Sequence, residues 1–215
     1  MVVITTLVIG ADYRRGLKEC LDSKAEYAKK HGYEYIQGDE TFWDRTKPIA
    51  WSKIPFLLDV CSKQPEGALI WQSDADVLIT NLDKTVEEQI IPLLPANKDM
   101  LLTMDACGHI NSGNILFRNT AWTRDFWKRV GEQKQYTYHI WWENAAMIHL
   151  FNTDPKMIEI TNNHKMFNAY LRGLAGQALW EQGDFLVHFA GVYNVEDMKN
   201  LVNLIKQGQT PRLNM

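Results

Sequence analysis

Residues 68–79 read Ala68-Leu69-Ile70-Trp71-Gln72-Ser73-Asp74-Ala75-Asp76-Val77-Leu78-Ile79. An apolar run leads through Gln72 and Ser73 to two acids one residue apart, and a second apolar run follows. The pattern predicts a buried strand over Ala68 to Gln72 that ends in a pair of carboxylates. An Asp-x-Asp tripeptide is weak by itself, because chance yields roughly one in a chain of this length and aspartate content. Its position carries the weight. In extended chain, residues two apart share a side, so Asp74 and Asp76 are expected to converge while Ala75 turns away. Carboxylates that close repel one another unless a cation lies between them. Oxygen ligands of this kind suit Mg²⁺ or Mn²⁺, which also take phosphate oxygens. The competing reading is a solvated acidic turn completed by Asn81.

Upstream of this stretch, Val2 to Ile9 is β-branched and continuous, as in a strand covered on both faces. Arg15 to His31 carries Leu17, Leu21, Ala25 and Ala28 at helical spacing, with Gly32 as a C-cap signal. Tyr33 to Ile36 predicts a second strand, so the three pieces form a βαβ unit with a parallel pair. Trp51 to Cys61 predicts a helix with Pro55 near its start, where proline is tolerated.

Downstream, Val86 to Leu94 reads as a short amphipathic helix closed by Pro92 and Pro95. Strands are predicted at Met100 to Met104, Ile115 to Arg118, Met157 to Ile160 and Phe185 to Phe189. Helices are predicted at Thr123 to Gln133, with Thr123 as cap, and at Ala145 to Phe151 and Val195 to Gln207. The alternation describes an open, mostly parallel α/β sheet with helices on both faces, in a single domain over residues 1–215. Such sheets bind ligands beyond the carboxyl ends of their strands, which singles out Asp12, Asp74 to Asp76, Asp105 and His188.

Composition narrows the classes. The net charge of -3 argues against a nucleic-acid or anionic-membrane partner. A small anionic ligand remains compatible, since one metal ion reverses the local sign. Eight tryptophans are many for 215 residues, and bulk in the core is their first reading. Cys20, Cys61 and Cys107 are odd in number and widely spaced, which suggests reduced thiols and a cytoplasmic setting. Met1 to Gly10 lacks a basic leader, and no apolar stretch approaches the ~18 residues of a membrane span.

The motifs around the acidic pair resemble those of glycosyltransferase family 34, the galactosyl-, mannosyl- and xyloglucan-xylosyltransferase group. Trp71 to Val77 is similar to that family's acidic motif. Trp51-Ser52-Lys53-Ile54-Pro55 looks like its Trp-x-Lys-x-Pro helix start. Asn111-Ser112-Gly113-Asn114-Ile115-Leu116-Phe117-Arg118-Asn119, with Trp122 after it, resembles its Asn-Thr-Gly-x-Phe-Leu-Ile-Arg-Asn block. His188-Phe189-Ala190-Gly191 matches its His-Phe-Ala-Gly, and Tyr27 to Tyr33 fits its early helix-to-strand turn. Four motifs in the same order, across roughly residues 2 to 195, are far more specific than any one.

The resemblance implies a GT-A fold and transfer of a sugar from a nucleoside diphosphate, a UDP-sugar, to a hydroxyl of a glycan acceptor. It implies a Mn²⁺ or Mg²⁺ ion held by Asp74, Asp76 and His188. Lys53, Ser73, Asp74, Ala75, Asn111 and Gly191 become donor-binding candidates, and topology adds Thr6, Asp12 and Tyr13 near the nucleotide base. Arg118 is a candidate phosphate clamp or the partner of a local acid. Where the family carries Asp-Asp-Gln, this chain has Trp142-Glu143-Asn144. Family members retain anomeric configuration, whereas Glu143 or Asp105 as general base would fit inversion. The family's amino-terminal anchor has no counterpart here, so a Golgi-lumen address would require an anchor removed. The polar stretch Gln207 to Met215 stops abruptly, which suggests a longer parent chain with additional domains. Two other classes share single features. A haloacid-dehalogenase-type phosphohydrolase also places Asp-x-Asp after an apolar strand, and a carbohydrate-binding module would use many aromatic residues.

Overall fold

Strand β1 (Val2–Leu7) is buried along nearly its whole length and forms the first parallel pairs of the sheet. The computed structural model describes residues 1–105, 107–174 and 176–214. After β1 the chain turns through Gly10 into a short helix, α1 (Ala11–Gly16), and then α2 (Lys18–His31). The single helix expected from Arg15 is thus broken at Leu17. Gly16 explains the tight junction, since a Cβ there would lie 1.8 Å from Val195 Cγ1. Helix α2 ends at Gly32, whose φ of 71° gives the left-handed cap expected from its lack of a side chain. Its buried face corrects the sequence expectation in one place. Lys24 occupies the inward position and Ala25 is exposed.

The remaining elements follow in order: β2 (Glu34–Gly38), α3 (Lys53–Lys63), β3 (Leu69–Ser73), β4 (Val77–Ile79) and α4 (Val86–Gln89). Then come β5 (Met100–Met104), β6 (Ile110–Arg118), α5 (Ala121–Glu132) and α6 (Trp142–Thr153). The chain closes with β7 (Ile158–Thr161), β8 (Leu186–His188) and α7 (Val195–Lys206). Helix α4 is shorter than expected and passes into a separate 3₁₀ turn at Ile91–Leu93, because Pro92 cannot extend it. The cap of α5 is Thr120, whose hydroxyl accepts the Thr123 N–H. Thr123 lies inside the helix.

Six strands form one sheet in the order β2-β1-β3-β6-β5-β7. Five run one way, and β6 runs against both of its neighbours. One face packs under α3, α5 and α6 through Val3, Ile70, Phe117, Phe126, Trp127 and Ala146. The other packs on α2 through Ile4, Tyr27, Trp71 and Leu116. Trp51, Trp71, Trp127 and Trp180 are buried, whereas Trp141 and Trp142 are exposed. The late strand β8 lies outside the main sheet. It pairs antiparallel with β4 in a two-stranded ribbon, with Val77 opposite His188.

Candidate metal centre

Asp74-Ala75-Asp76 occupies the turn between β3 and β4, closed by the Val77 N–H donating to Asp74 O at 3.2 Å. The extended-chain argument therefore misplaces the cause of convergence: a tight turn, not strand alternation, brings the two acids together. The Asp74 N–H donates to Gly113 O at 2.7 Å, which ties the turn to β6. The β4–β8 ribbon supplies the third group. With Val77 opposite His188 and the Phe189 N–H donating to Asp76 O at 3.1 Å, the imidazole comes to rest over the turn. His188 Nε2 lies 3.4 Å from Asp76 Oδ1. One ligand atom each from Asp74, Asp76 and His188 lies within 4.8 Å of the others.

Gly113 makes this approach feasible. A Cβ on it would fall 2.2 Å from His188 Cε1 and 2.9 Å from Nε2. Side-chain exposure grades across the trio from 4% at His188 through 16% at Asp76 to 31% at Asp74, so the cluster opens to solvent on the Asp74 side. Burial pushes the Asp76 carboxyl up, but the facing His188 and the nearby Lys24 hold it below the usual carboxylate range. Two carboxylates and one imidazole, open on one side, fit a divalent cation such as Mn²⁺ or Mg²⁺.

Two lysines flank the acids from opposite faces of the sheet. Lys53, at the first turn of α3, is buried and lies 3.0 Å from both Asp74 Oδ1 and Glu143 Oε1. It also donates to Ser112 O at 3.0 Å. Burial lowers its pKa, but the two carboxylates outweigh burial and raise it above the ordinary lysine range. Lys24, from α2, donates to Val77 O at 2.6 Å and Cys20 O at 3.4 Å, and burial depresses its amine to about 8. Tyr13 on α1 is half-buried. Burial first, and then Asp76 and Asp74, raise its hydroxyl above the ordinary tyrosine range.

The other sequence candidates divide. Ser73 and Ala75 are buried within the turn itself, and the Ser73 hydroxyl has no protein partner. Asn111 Oδ1 accepts the Gly113 N–H at 2.8 Å, and Gly191 follows His188 in a turn at φ 73°. Gly191 approaches Arg172 so closely that a Cβ would meet its Nη2 at 2.0 Å. Glu143 opens α6 buried, its Oε1 accepting the Ser112 hydroxyl at 3.1 Å. Asp105 caps the β5–β6 connection by accepting the Cys107 and His109 N–H groups. Thr6 points into the core, its hydroxyl donating to Ser73 O, and Asp12 pairs with Arg15 on the exposed face of α1. Arg118 lies at the opposite end of the sheet, because β6 is antiparallel and pairs it with Leu69. Its Nε donates to Lys98 O.

Sequence reasoning missed Lys24, Gly113 and Asn168 as members of this cluster. Gly113 sat inside a quoted motif without a role. Asn168 lies in an irregular segment with no periodicity to mark it.

A model of the galactosyl transferase GMA12/MNN10 family matches residues 1–96 and 93–199. An uncharacterised alpha-1,2-galactosyltransferase of Schizosaccharomyces pombe is 28% identical over 225 residues, covering 82% of this chain and 56% of that protein. A probable alpha-1,6-mannosyltransferase of Saccharomyces cerevisiae is 27% identical over 171 residues, covering 63% and 42% respectively. The chain spans about half the length of the curated relatives it matches. Among solved structures, a glycosyltransferase involved in the glycosylation of the major capsid of PBCV-1 superposes with a TM-score of 0.74. Its identity is 14%, with 94% of this chain and 98% of that one covered, so the likeness is one of fold. The GT-A architecture expected from the motifs is borne out. The phosphohydrolase and carbohydrate-binding alternatives gain no support. Among the described residues, no helix is long and apolar enough to cross a membrane.

Proposed function

The chain belongs to the galactosyl transferase GMA12/MNN10 family, and from that premise we propose that it transfers a hexosyl group from a UDP-sugar to a hydroxyl of a glycan acceptor, with Mn²⁺ or Mg²⁺ at Asp74, Asp76 and His188. The observation that carries this reading is the convergence of those three side chains at the carboxyl end of β3. A bound cation there would neutralise charge developing on the departing diphosphate. Asp76 and His188 hold the ligand set from the buried side, and Asp74 presents its carboxylate toward solvent, where the donor enters. Lys53 fixes Asp74 by direct contact, and Glu143 with Ser112 fixes Lys53. Glu143 thus serves as a brace rather than a base, which accords with the retention that the family resemblance implies. Tyr13, on the helix after β1, offers a stacking face for the nucleotide base.

The acceptor side lies next to Glu143. Tyr138, Ile140, Trp141 and Trp142 are exposed in succession, a rare run on a soluble surface. Trp141 lies against the rings of His109 and His139, with centroids 4.5 and 5.4 Å away, while part of its own ring stays exposed. Trp142 carries φ 43°, a left-handed conformation costly for a bulky residue. Exposed aromatic faces of this kind suit the apolar face of a pyranose ring.

UDP and Mn²⁺ together should raise the melting temperature more than either alone. In a panel of UDP- and GDP-sugars, turnover should require the metal and vanish in Asp76→Ala while the fold persists. Full activity in that variant would remove Asp76 from the mechanism. His188→Ala should weaken Mn²⁺ binding, and an unchanged metal titration would refute its assignment as a ligand.

A further inference from the structure

We infer that Asn168, which lies outside the trio, is the positioning residue that keeps a proton of His188 on Nδ1, so that in the neutral imidazole Nε2 is the bare nitrogen facing the acidic turn. The inference rests on the metal reading above for its consequence but not for its geometry. His188 Nδ1 lies 2.8 Å from Asn168 Oδ1, and both side chains are buried. An amide presents an acceptor on one side and donors on the other, so which nitrogen of His188 carries the proton depends on which way Asn168 faces.

Two groups that can only donate settle that orientation. The Trp71 indole N–H donates to Asn114 Oδ1 at 3.0 Å. The amide of Asn114 therefore points its Nδ2 outward, donating to Asn168 Oδ1 at 3.0 Å. From the other side, the Gly113 backbone N–H donates to Asn111 Oδ1 at 2.8 Å, so Asn111 presents an acceptor to Asn168 Nδ2 at 3.1 Å. Asn168 Nδ2 also donates to Thr103 Oγ1 at 2.7 Å and lies 2.6 Å from the Tyr170 hydroxyl. Turning Asn168 over would set N–H against N–H at Asn114 and oxygen against oxygen at Asn111. Its Oδ1 must face His188, and His188 Nδ1 must be the donor. The nitrogen left without that proton is Nε2, the one that lies 3.4 Å from Asp76. Without Asn168, the Asp76 carboxylate would draw a proton to Nε2, and the lone pair needed by a metal would point away from the turn.

The test combines ring ¹⁵N NMR of His188, observed in the neutral imidazole, with calorimetric titration by Mn²⁺ alone. The wild type should show Nδ1–H. Asn168→Leu removes the acceptor and should shift the proton to Nε2, with Mn²⁺ affinity falling about 10- to 100-fold. Asn168→Asp can only accept from His188, so it should keep Nδ1–H; because its second oxygen meets Asn111 Oδ1, this variant is read by the proton position alone. Nδ1–H with unchanged affinity in Asn168→Leu would overturn the inference, as would Nε2–H in Asn168→Asp. The second result decides even if the leucine variant does not fold. Failure of the wild type itself to bind Mn²⁺ would instead strike the metal reading, while the NMR result still judges Asn168.

Discussion

Lys53 and Lys24 lie on opposite sides of one acidic turn, both buried, and their environments push them in opposite directions. Lys53 meets two carboxylates and a carbonyl, and its charge is held more firmly than in water. Lys24 meets two carbonyls, with the acids only nearby, and burial depresses its amine to about 8. Burial alone therefore does not set the behaviour of an interior cation. Its contacts do. The α3 side of the turn is an ion-paired network in which one lysine joins Asp74 to Glu143, whereas the α2 side is a hydrogen-bonded plug under Val77.

The contrast can be broken most directly at Lys53. Lys53→Met strands Asp74 and the buried Glu143 without their cation and should cost about 3–5 kcal/mol in urea unfolding. A loss below 1 kcal/mol would show that the network does not hold this side together. Lys24→Met should move the opposite way at neutral pH, gaining about 1–3 kcal/mol, because it replaces a charge that has no contacting counter-ion. The same pair of proteins gives a pH signature. Between about 8 and the ordinary 10.5 the unfolded chain binds the Lys24 proton and the fold does not, so wild-type stability rises relative to Lys24→Met across that window. A constant difference from pH 7 to 10 would show that the amine is not depressed. The smallest effect sharpens the picture: Glu143→Gln retains the contact with Ser112 but removes one carboxylate from Lys53, at a cost of about 1–2 kcal/mol.

What the chain revealed in advance depended on whether neighbours in sequence were also neighbours in space. The strand ending at Ser73 and the Gly32 cap were legible because an unbroken apolar run and a glycine after a helix carry local signals. The convergence of Asp74, Asp76 and His188 was legible only through motif order, since Asp76 and His188 are distant in sequence. Other features escaped because tertiary contacts overrode local pattern. The stretch Asn111 to Asn114 in the first half of β6 is polar and still a strand, because its side chains serve the site rather than an apolar layer. Lys24 takes a core position on α2 because two backbone carbonyls satisfy its amine, which helical periodicity cannot reveal. Asn168 escaped because its importance lies in orientation, fixed by Trp71 and Gly113 through two other amides.

The ribbon between β4 and β8 carries a further consequence. All six strands of the main sheet are complete by Thr161, yet His188 reaches the turn from a later segment, through pairing of β8 with Val77 and a bridge to Tyr170. Phe185 and Leu186 beside it pack into the α2-face core with Tyr27 and Trp71, so this late segment completes the core and the acidic cluster together. A slip of one residue in that ribbon would present Val187 or Phe189 to the acids instead of an imidazole. On the metal reading proposed above, cation affinity would therefore report whether β8 has docked in register.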